Sequence, residues 1–344
     1  MKNTKKTIIN LTLFITLLAV TFYVIFKDQS IGEIINILRQ AKVEFVLIGI
    51  VCMLIYVLCE AINIKRTLKA LGEEITLISS IKYALIGFFF SGITPAASGG
   101  QPMQIYYMYK DKITVANSTL TLLINLSCTQ IATISIALIS VIFNHQYLNK
   151  AMIIFFIIGV LLNASALSLL LIAIFSKKLL RKLMDFVIKI MKKLKLRNIE
   201  EKIEKLENEI TTYQDSSIYI KNNKLVILKT VITTFIQFFA FYSVSYWVYR
   251  SFGFNQYNII QILMLQAVLY ATVSGIPSPG AVGVSEGGYI AIFSYIYSEN
   301  MINSAMLLNR GINFYFLVIF SAVVTFANML QSTNKFKVKK SWKK

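Results

Sequence analysis

The chain has 344 residues, of which 56% are hydrophobic and only 15% are charged, and its mean hydropathy is +0.65. This balance excludes a soluble globular protein, and apolar runs of about twenty residues without alternating polarity exclude an outer-membrane barrel. The formal net charge of +19 would suit a nucleic-acid binder, but the Lys and Arg residues flank the apolar runs, where the positive-inside rule places them. The sequence therefore predicts an all-α integral membrane protein with no nucleic-acid partner.

Six apolar runs are long enough to cross a bilayer. No small-residue cleavage site follows the first of them, which indicates a membrane span rather than a signal peptide. Two further apolar regions, 81–109 and 259–297, are interrupted by Gly and Pro. The six uninterrupted runs cover residues 7–26, 45–64, 115–143, 151–175, 225–250 and 304–330.

The basic residues indicate how the two interrupted regions lie in the membrane. Thirteen Lys and Arg residues fall between 177 and 224, and the tail from 335 to 344 is also Lys-rich. Both clusters and the N-terminus lie on the cytoplasmic side only if each interrupted region returns to the side from which it entered. We therefore predict two re-entrant helical hairpins, about eight membrane segments, and a bacterial-type cell membrane with both termini cytoplasmic. For 259–297, two nearly full helices are the alternative.

The two interrupted regions share a pattern. Residues 91–100 read SGITPAASGG and residues 274–283 read SGIPSPGAVG, with a constant offset of 183. The same offset superimposes flanking spans that run in opposite directions, which is the signature of an inverted-topology repeat. The linker contains an amphipathic helix, which we expect to lie on anionic lipid. The predicted single polytopic domain, 1–344, thus comprises the halves 45–143 and 225–330 and the basic cytoplasmic linker 177–224.

Broken helices in hydrocarbon are expected to line a cavity, because their free backbone groups need protein or water as partners. All four prolines of the chain lie in the two interrupted regions. Simple kinks are the alternative, since Pro and Gly also occur in ordinary membrane helices. We predict a substrate-binding or translocation site at the breaks, formed by Pro95, Gly99, Gly100, Gln101, Pro102, Gln104, Pro277, Pro279, Gly280 and Gly283.

Three charged residues in the apolar regions are further candidates, because intramembrane charges are costly and usually functional. Glu286 follows the second break, where it either faces a helix dipole, binds a cationic headgroup or pairs with Arg310. Arg310 either binds a lipid phosphate bidentately or snorkels to the interface. Glu60 is the weaker candidate, because the nearby Lys65 and Arg66 favour an interfacial ion pair.

No catalytic residue, metal or cofactor is predicted. Cys52, Cys59 and Cys128 lie in apolar runs without CxxC spacing, and the single histidine, His145, lies in a short polar connection. No Walker sequence is present, so transport would need a gradient or run downhill.

Residues 94–104 and 277–286 resemble two motifs of the membrane domain of lysylphosphatidylglycerol synthases, the flippase-like part of the multiple peptide resistance factor family. The resemblance extends over about 7–330. It implies a lipid translocase that moves aminoacylated or anionic phospholipid, such as lysyl-phosphatidylglycerol or phosphatidylglycerol, between leaflets and contributes to resistance to cationic antimicrobial peptides. Many family members carry an acidic residue and an Arg where this chain has Gln101 and Gln104.

The same resemblance leaves other functions open. In that family a soluble domain after the membrane domain transfers lysine from lysyl-tRNA to the lipid. About fourteen residues follow the last apolar run here, too few for such a fold, which leaves a separate synthase as a possible partner. The alternatives are a phosphatidylglycerol lysyltransferase, implied by the family as a whole, and an ion-coupled transporter of a small solute with Glu286 as the coupling group.

Overall fold

The computed structural model describes residues 39–94, 97–144, 148–176, 199–276 and 283–341, together with isolated positions between these ranges. The described part is helical. Its helices are α1 (Val43–Ala70), α2 (Leu77–Ile93), α3 (Gly100–Lys110), α4 (Val115–Asn144), α5 (Lys150–Phe175), α6 (Ile199–Asn222), α7 (Lys224–Ser251), α8 (Ile259–Val273), α9 (Val284–Phe293), α10 (Glu299–Arg310), a π-helical turn (Gly311–Tyr315) and α11 (Phe316–Ser341).

Five stretches of the described residues are long and apolar enough to cross a membrane. They are α1, α4, α5, α7 and the continuous stretch Glu299–Met329, which joins α10, the π turn and most of α11. These stretches coincide, within a few residues at most ends, with five of the six predicted runs, and the sixth, 7–26, lies outside the described residues. The chain is an all-α, multi-pass membrane protein.

Each interrupted region forms a pair of short helices. The pairs are α2 with α3 (17 and 11 residues) and α8 with α9 (15 and 10 residues). At 1.5 Å per residue they measure about 25 and 16 Å and about 22 and 15 Å, all short of the roughly 30 Å of a hydrocarbon core. The alternative of two nearly full helices in 259–297 is therefore wrong, and both regions have the helix lengths of re-entrant hairpins.

The order and the contacts of the helices support the predicted repeat. α1 and α7 have the same length, 28 residues, and form the most extensive helix pair. The longer arm of each hairpin packs against the long helix of the other half: α8 against α4, and α2 against α11. Such an exchange of partners is what a twofold-related repeat requires. The opposite orientation of the halves in the membrane stays a prediction.

Small residues close the first hairpin. A Cβ atom on Gly100 would lie 2.0 Å from Ser91 Oγ and 2.9 Å from the backbone oxygen of Gly87, so α2 and α3 approach as closely as glycine allows. Thr94, which ends α2, accepts a hydrogen bond at its Oγ1 from the backbone N–H of Gly99 at 2.9 Å. The break is thus fixed by backbone and side-chain contacts on both of its sides.

The second hairpin is held by α5. Asn163 Nδ2 donates to the backbone oxygens of Gly159 and Ala271, at 2.8 and 3.2 Å, and lies 3.1 Å from Ser274 Oγ. Asn163 is only 4% exposed, and Ser274 is the residue at which α8 ends. One buried amide therefore ties a membrane span to the edge of the second break.

Replacing Asn163 with Ala is expected to destabilise the protein by about 1–3 kcal/mol, because the freed carbonyl of Ala271 stays buried. Thermal unfolding in detergent measures the effect. Ser168→Ala is the matched control, since Ser168 is exposed on the same helix and bonds only to the carbonyl of Ala164. Equal unfolding midpoints for the two variants would contradict the tie between α5 and the second break.

The linker helix α6 packs against the ends of α4 and α5. Glu209 Oε2 accepts from the backbone N–H of Ala116 at 2.8 Å, at the start of α4, and Ser217 Oγ donates to the backbone oxygen of Ile174 at 2.7 Å, at the end of α5. Tyr213 lies between them, and burial raises the pKa of its phenol to about 12. This face of α6 therefore covers the ends of two spans, and contact of the helix with anionic lipid stays a prediction.

Candidate functional site

A cavity of about 410 Å³ lies between the two helix breaks. The first break contributes Gly92 and Ala97 to its wall, and the second contributes Ser274, Ala281 and Ser285. Residues beside both breaks therefore line one cavity, and of the predicted site residues that the structure describes, Arg310 is on its wall. Four predicted site residues, Pro95, Pro277, Pro279 and Gly280, lie outside the described residues.

An ion pair stands beside this cavity. Arg310, which lines the cavity, donates from Nε to Glu286 Oε1 at 2.9 Å, and the two side chains are only 10% and 15% exposed. The other carboxylate oxygen, Oε2, accepts from the backbone N–H of Gly283 at 2.6 Å and so caps α9. Gly283 has a φ of +82°, a left-handed conformation that favours glycine. The predicted pairing of Glu286 with Arg310 is confirmed, and Glu286 also caps the helix, as its position at the helix start indicated.

Aromatic rings hold Arg310 on the cavity side. Its guanidinium carbon lies 4.4 Å from the centroid of the Phe314 ring and 5.8 Å from that of Tyr315. Both rings belong to the π turn that follows Arg310, and π turns often occur at functional sites. Arg310 is buried, so the alternative of a residue snorkelling to the interface is wrong.

Three amide side chains complete the polar wall, and sequence reasoning missed all of them. Gln266, Asn309 and Asn313 line the cavity and are buried. Ser245 Oγ lies 2.7 Å from Gln266 Oε1 and 3.3 Å from Asn309 Oδ1, whereas Asn313 Oδ1 is buried without a hydrogen-bond partner among the described residues. Amides within apolar runs were the available signal, because an uncharged polar group in hydrocarbon also needs a partner.

Glu60 has different partners from those predicted. Asn125 Nδ2 lies 3.4 Å from its Oε1, and Gln237 Nε2 lies 3.2 Å from its Oε2. Arg66 donates instead to Asn63 Oδ1 at 2.9 Å. The expected interfacial ion pair of Glu60 with Lys65 or Arg66 is therefore wrong, since the carboxylate turns toward α4 and α7.

The sequence of the chain matches a known family of membrane proteins. A family profile described as "Lysylphosphatidylglycerol synthase TM region" matches residues 8–321. The chain belongs to this family. A UPF0104 membrane protein of Pyrococcus horikoshii is 23% identical over 313 residues, which cover 87% of this chain and 91% of the relative. A second UPF0104 membrane protein, from Archaeoglobus fulgidus, is 18% identical over 325 residues, with 90% and 94% covered.

Gln104, in the first motif, has a structural role in this protein. Gln104 is buried against Gly87 and donates from Nε2 to the backbone oxygen of Tyr83 at 3.1 Å. Neither Gln104 nor Gln101 is among the residues that line the cavity, and Pro102 is exposed. Within the described residues, the charged side chain on the cavity wall therefore belongs to the second half.

Proposed function

We propose that this protein is a lipid translocase that passes the headgroup of an anionic or aminoacylated phospholipid between leaflets and thereby contributes to resistance to cationic antimicrobial peptides. The observation that carries the proposal is the cavity between the two helix breaks, with Arg310 and buried amides on its wall. Membership of the lysylphosphatidylglycerol synthase TM region family supports the choice of lipid. Bacterial cell-membrane location with cytoplasmic termini belongs to the same proposal.

The chemistry of the wall suits a headgroup such as lysyl-phosphatidylglycerol. A guanidinium recognises a phosphate, and the carboxylate of Glu286 beside it suits the ammonium groups of a lysyl ester. Gln266, Asn309 and Asn313 offer amide groups to glycerol and ester oxygens. Arg310 on the wall therefore complements the phosphate, and the Glu286 carboxylate beside the wall complements the ammonium groups once Arg310 turns from it to the phosphate.

The size and the apolar part of the wall suit a headgroup that moves while its acyl chains stay in lipid. A volume of about 410 Å³ lies within the usual range for ligand pockets, about 300–1,000 Å³. Phe88, Phe241 and Phe314 form apolar parts of the same wall. Broken helices supply this polar space at membrane depth without exposing free backbone groups to hydrocarbon.

Reconstitution into liposomes tests the proposal. Liposomes contain either lysyl-phosphatidylglycerol or phosphatidylglycerol with an acyl-chain fluorophore, and a membrane-impermeant quencher reports the leaflet exposure of each lipid over time. We expect the purified protein to accelerate exchange of one or both lipids over protein-free liposomes. We expect Glu286→Gln to slow lysyl-phosphatidylglycerol more than phosphatidylglycerol, because only the former carries ammonium groups.

Glu299→Gln is the matched control, since Glu299 lies exposed in the first turn of α10, away from the cavity wall. Its exchange rates should equal those of the unmodified protein. Folded protein that accelerates neither lipid would contradict the proposal. A new ninhydrin-positive lipid in cells that express the chain alone would instead favour the lysyltransferase alternative.

A further inference from the structure

Glu60 lies inside the apolar run 45–64, four residues before its end, and away from both ends of α1. It stands ten residues before Ala70, the last residue of the helix, and six before Arg66. At 1.5 Å per residue these separations correspond to about 15 and 9 Å along the helix axis. A carboxylate at such depth is costly, and where it is retained it commonly marks a path for a cation or a proton.

The groups that face Glu60 supply no positive charge. Among the residues that the structure describes, no Lys or Arg nitrogen lies within ion-pair distance of its carboxylate. The titratable groups that interact with it are Tyr56 and Cys59 on α1 and Cys128 on α4, each of which is neutral when protonated. α7 presents the neutral Gln237. The carboxylate thus meets only amide dipoles and neutral groups.

Both amides have an unused acceptor, since Gln237 Oε1 and Asn125 Oδ1 are each buried without a hydrogen-bond partner in the described part of the chain. Asn125 is 4% exposed, and its Nδ2 faces Glu60 Oε1 at 3.4 Å. A half-turn of this amide would present Oδ1 to the carboxyl group, where it accepts a hydrogen bond from a protonated Glu60. A metal ion fits less well, because both Asn125 and Gln237 aim N–H groups at the carboxylate and both would have to turn.

Glu60 lies near the cavity. Tyr56 lines the cavity wall and lies one helical turn before Glu60, so the two side chains share a face of α1. Gln237 on α7 donates to Glu60 Oε2 at 3.2 Å. A change in the charge of Glu60 therefore acts within one helical turn of the cavity wall, on the face of α1 that carries Tyr56.

We infer that Glu60 is a proton-binding site that couples lipid movement to a proton gradient; the coupling, unlike the binding, rests on the proposed function. A proton taken from one aqueous side forms an O–H bond with the Glu60 carboxylate, turns the Asn125 amide and is released to the other side. The step needs no oxidant, reductant or nucleotide. It also separates the coupling group from Glu286, which is occupied by Arg310 and by the end of α9.

Infrared difference spectra recorded during a pH titration of the purified protein test the binding. We expect a carbonyl band of a buried carboxylic acid that disappears as the pH is raised. The band should be absent in Glu60→Gln, which mimics the protonated side chain and should fold, and present in Glu44→Gln, whose exposed carboxylate lies in the first turn of the same helix. An unchanged band in Glu60→Gln would overturn the inference, as would a band abolished by sodium at constant pH, which would indicate a metal-ion site.

Liposomes with an imposed pH difference test the coupling. We expect the gradient to accelerate lipid exchange by the unmodified protein and by Glu44→Gln, and to have no effect on Glu60→Gln. Exchange that ignores the gradient in the unmodified protein would overturn the coupling. Absence of all lipid exchange, with the infrared band intact, would contradict the proposed function and leave the proton site standing.

Discussion

Replacing Arg310 with Gln is expected to destabilise the protein by about 3–5 kcal/mol, the usual cost of removing one partner from a buried ion pair. The Glu286 carboxylate would keep only the backbone N–H of Gly283 as a partner and would remain buried at 15% side-chain exposure. Exchange of both lipids should also fall to the rate of protein-free liposomes, because the proposed phosphate ligand is gone. Unfolding in detergent and the liposome assay measure the two effects.

A double variant separates stability from transport. Glu286→Gln combined with Arg310→Met removes both charges, and such neutral replacements of buried pairs often leave stability close to that of the unmodified protein. We expect this variant to fold well and to transport neither lipid. Arg39→Gln is the control for loss of an Arg at an exposed position. Normal exchange by the double variant would show that the ion pair only supports the fold.

Replacing Gly159 with Ala is expected to force α5 away from the end of α8. The added Cβ would lie 2.4 Å from the backbone oxygen of Ala271 and 2.8 Å from Thr272 Cα, and backbone atoms cannot rotate away as a side chain can. α5 and the end of α8 would have to separate, which costs about 1–3 kcal/mol in a well-packed interior. The measurement is the unfolding midpoint in detergent.

Gly287→Ala is the matched control for this prediction. No atom lies within 4 Å of the position where its Cβ would stand, and Gly287 is in α9, so alanine there should stabilise by about 0.5–1 kcal/mol through helix propensity. The two glycine variants should therefore shift the midpoint in opposite directions. A midpoint that is unchanged or raised in Gly159→Ala would show that α5 can move away from α8 at little cost.

Hydropathy and helix-breaking residues were sufficient to predict the spans and the hairpins. The length of an apolar run and the positions of its Pro and Gly residues can be read directly from the sequence. Comparison with the hydrocarbon thickness then shows whether each helix is long enough to cross the membrane. The pairing of Glu286 with Arg310 could also be predicted from the sequence, because each charge is costly in hydrocarbon and needs a partner. These features do not depend on how the helices pack against one another.

The partners of Glu60 and the amides of the cavity do depend on that packing. Asn125 and Gln237 stand 65 and 177 positions from Glu60, and nothing in a single sequence brings these three helices together. Asn309 lies two residues before a π turn and Asn313 lies within it, and such a turn adds a residue and changes the side of the helix on which the following residues lie. The helical period alone would therefore misplace the face that lines the cavity.

The charged residues of the second half have no charged counterparts at the equivalent positions of the first half. At the offset of 183, Glu286 and Arg310 correspond to Met103 and Ser127, so the first half has a neutral counterpart for each member of the ion pair. Two conformations that exchange the surroundings of the two halves would consequently differ in electrostatic energy, even if their helix packing were equivalent. If the protein translocates lipid as proposed, it would have a built-in resting side, and its cycle would run between states of unequal population.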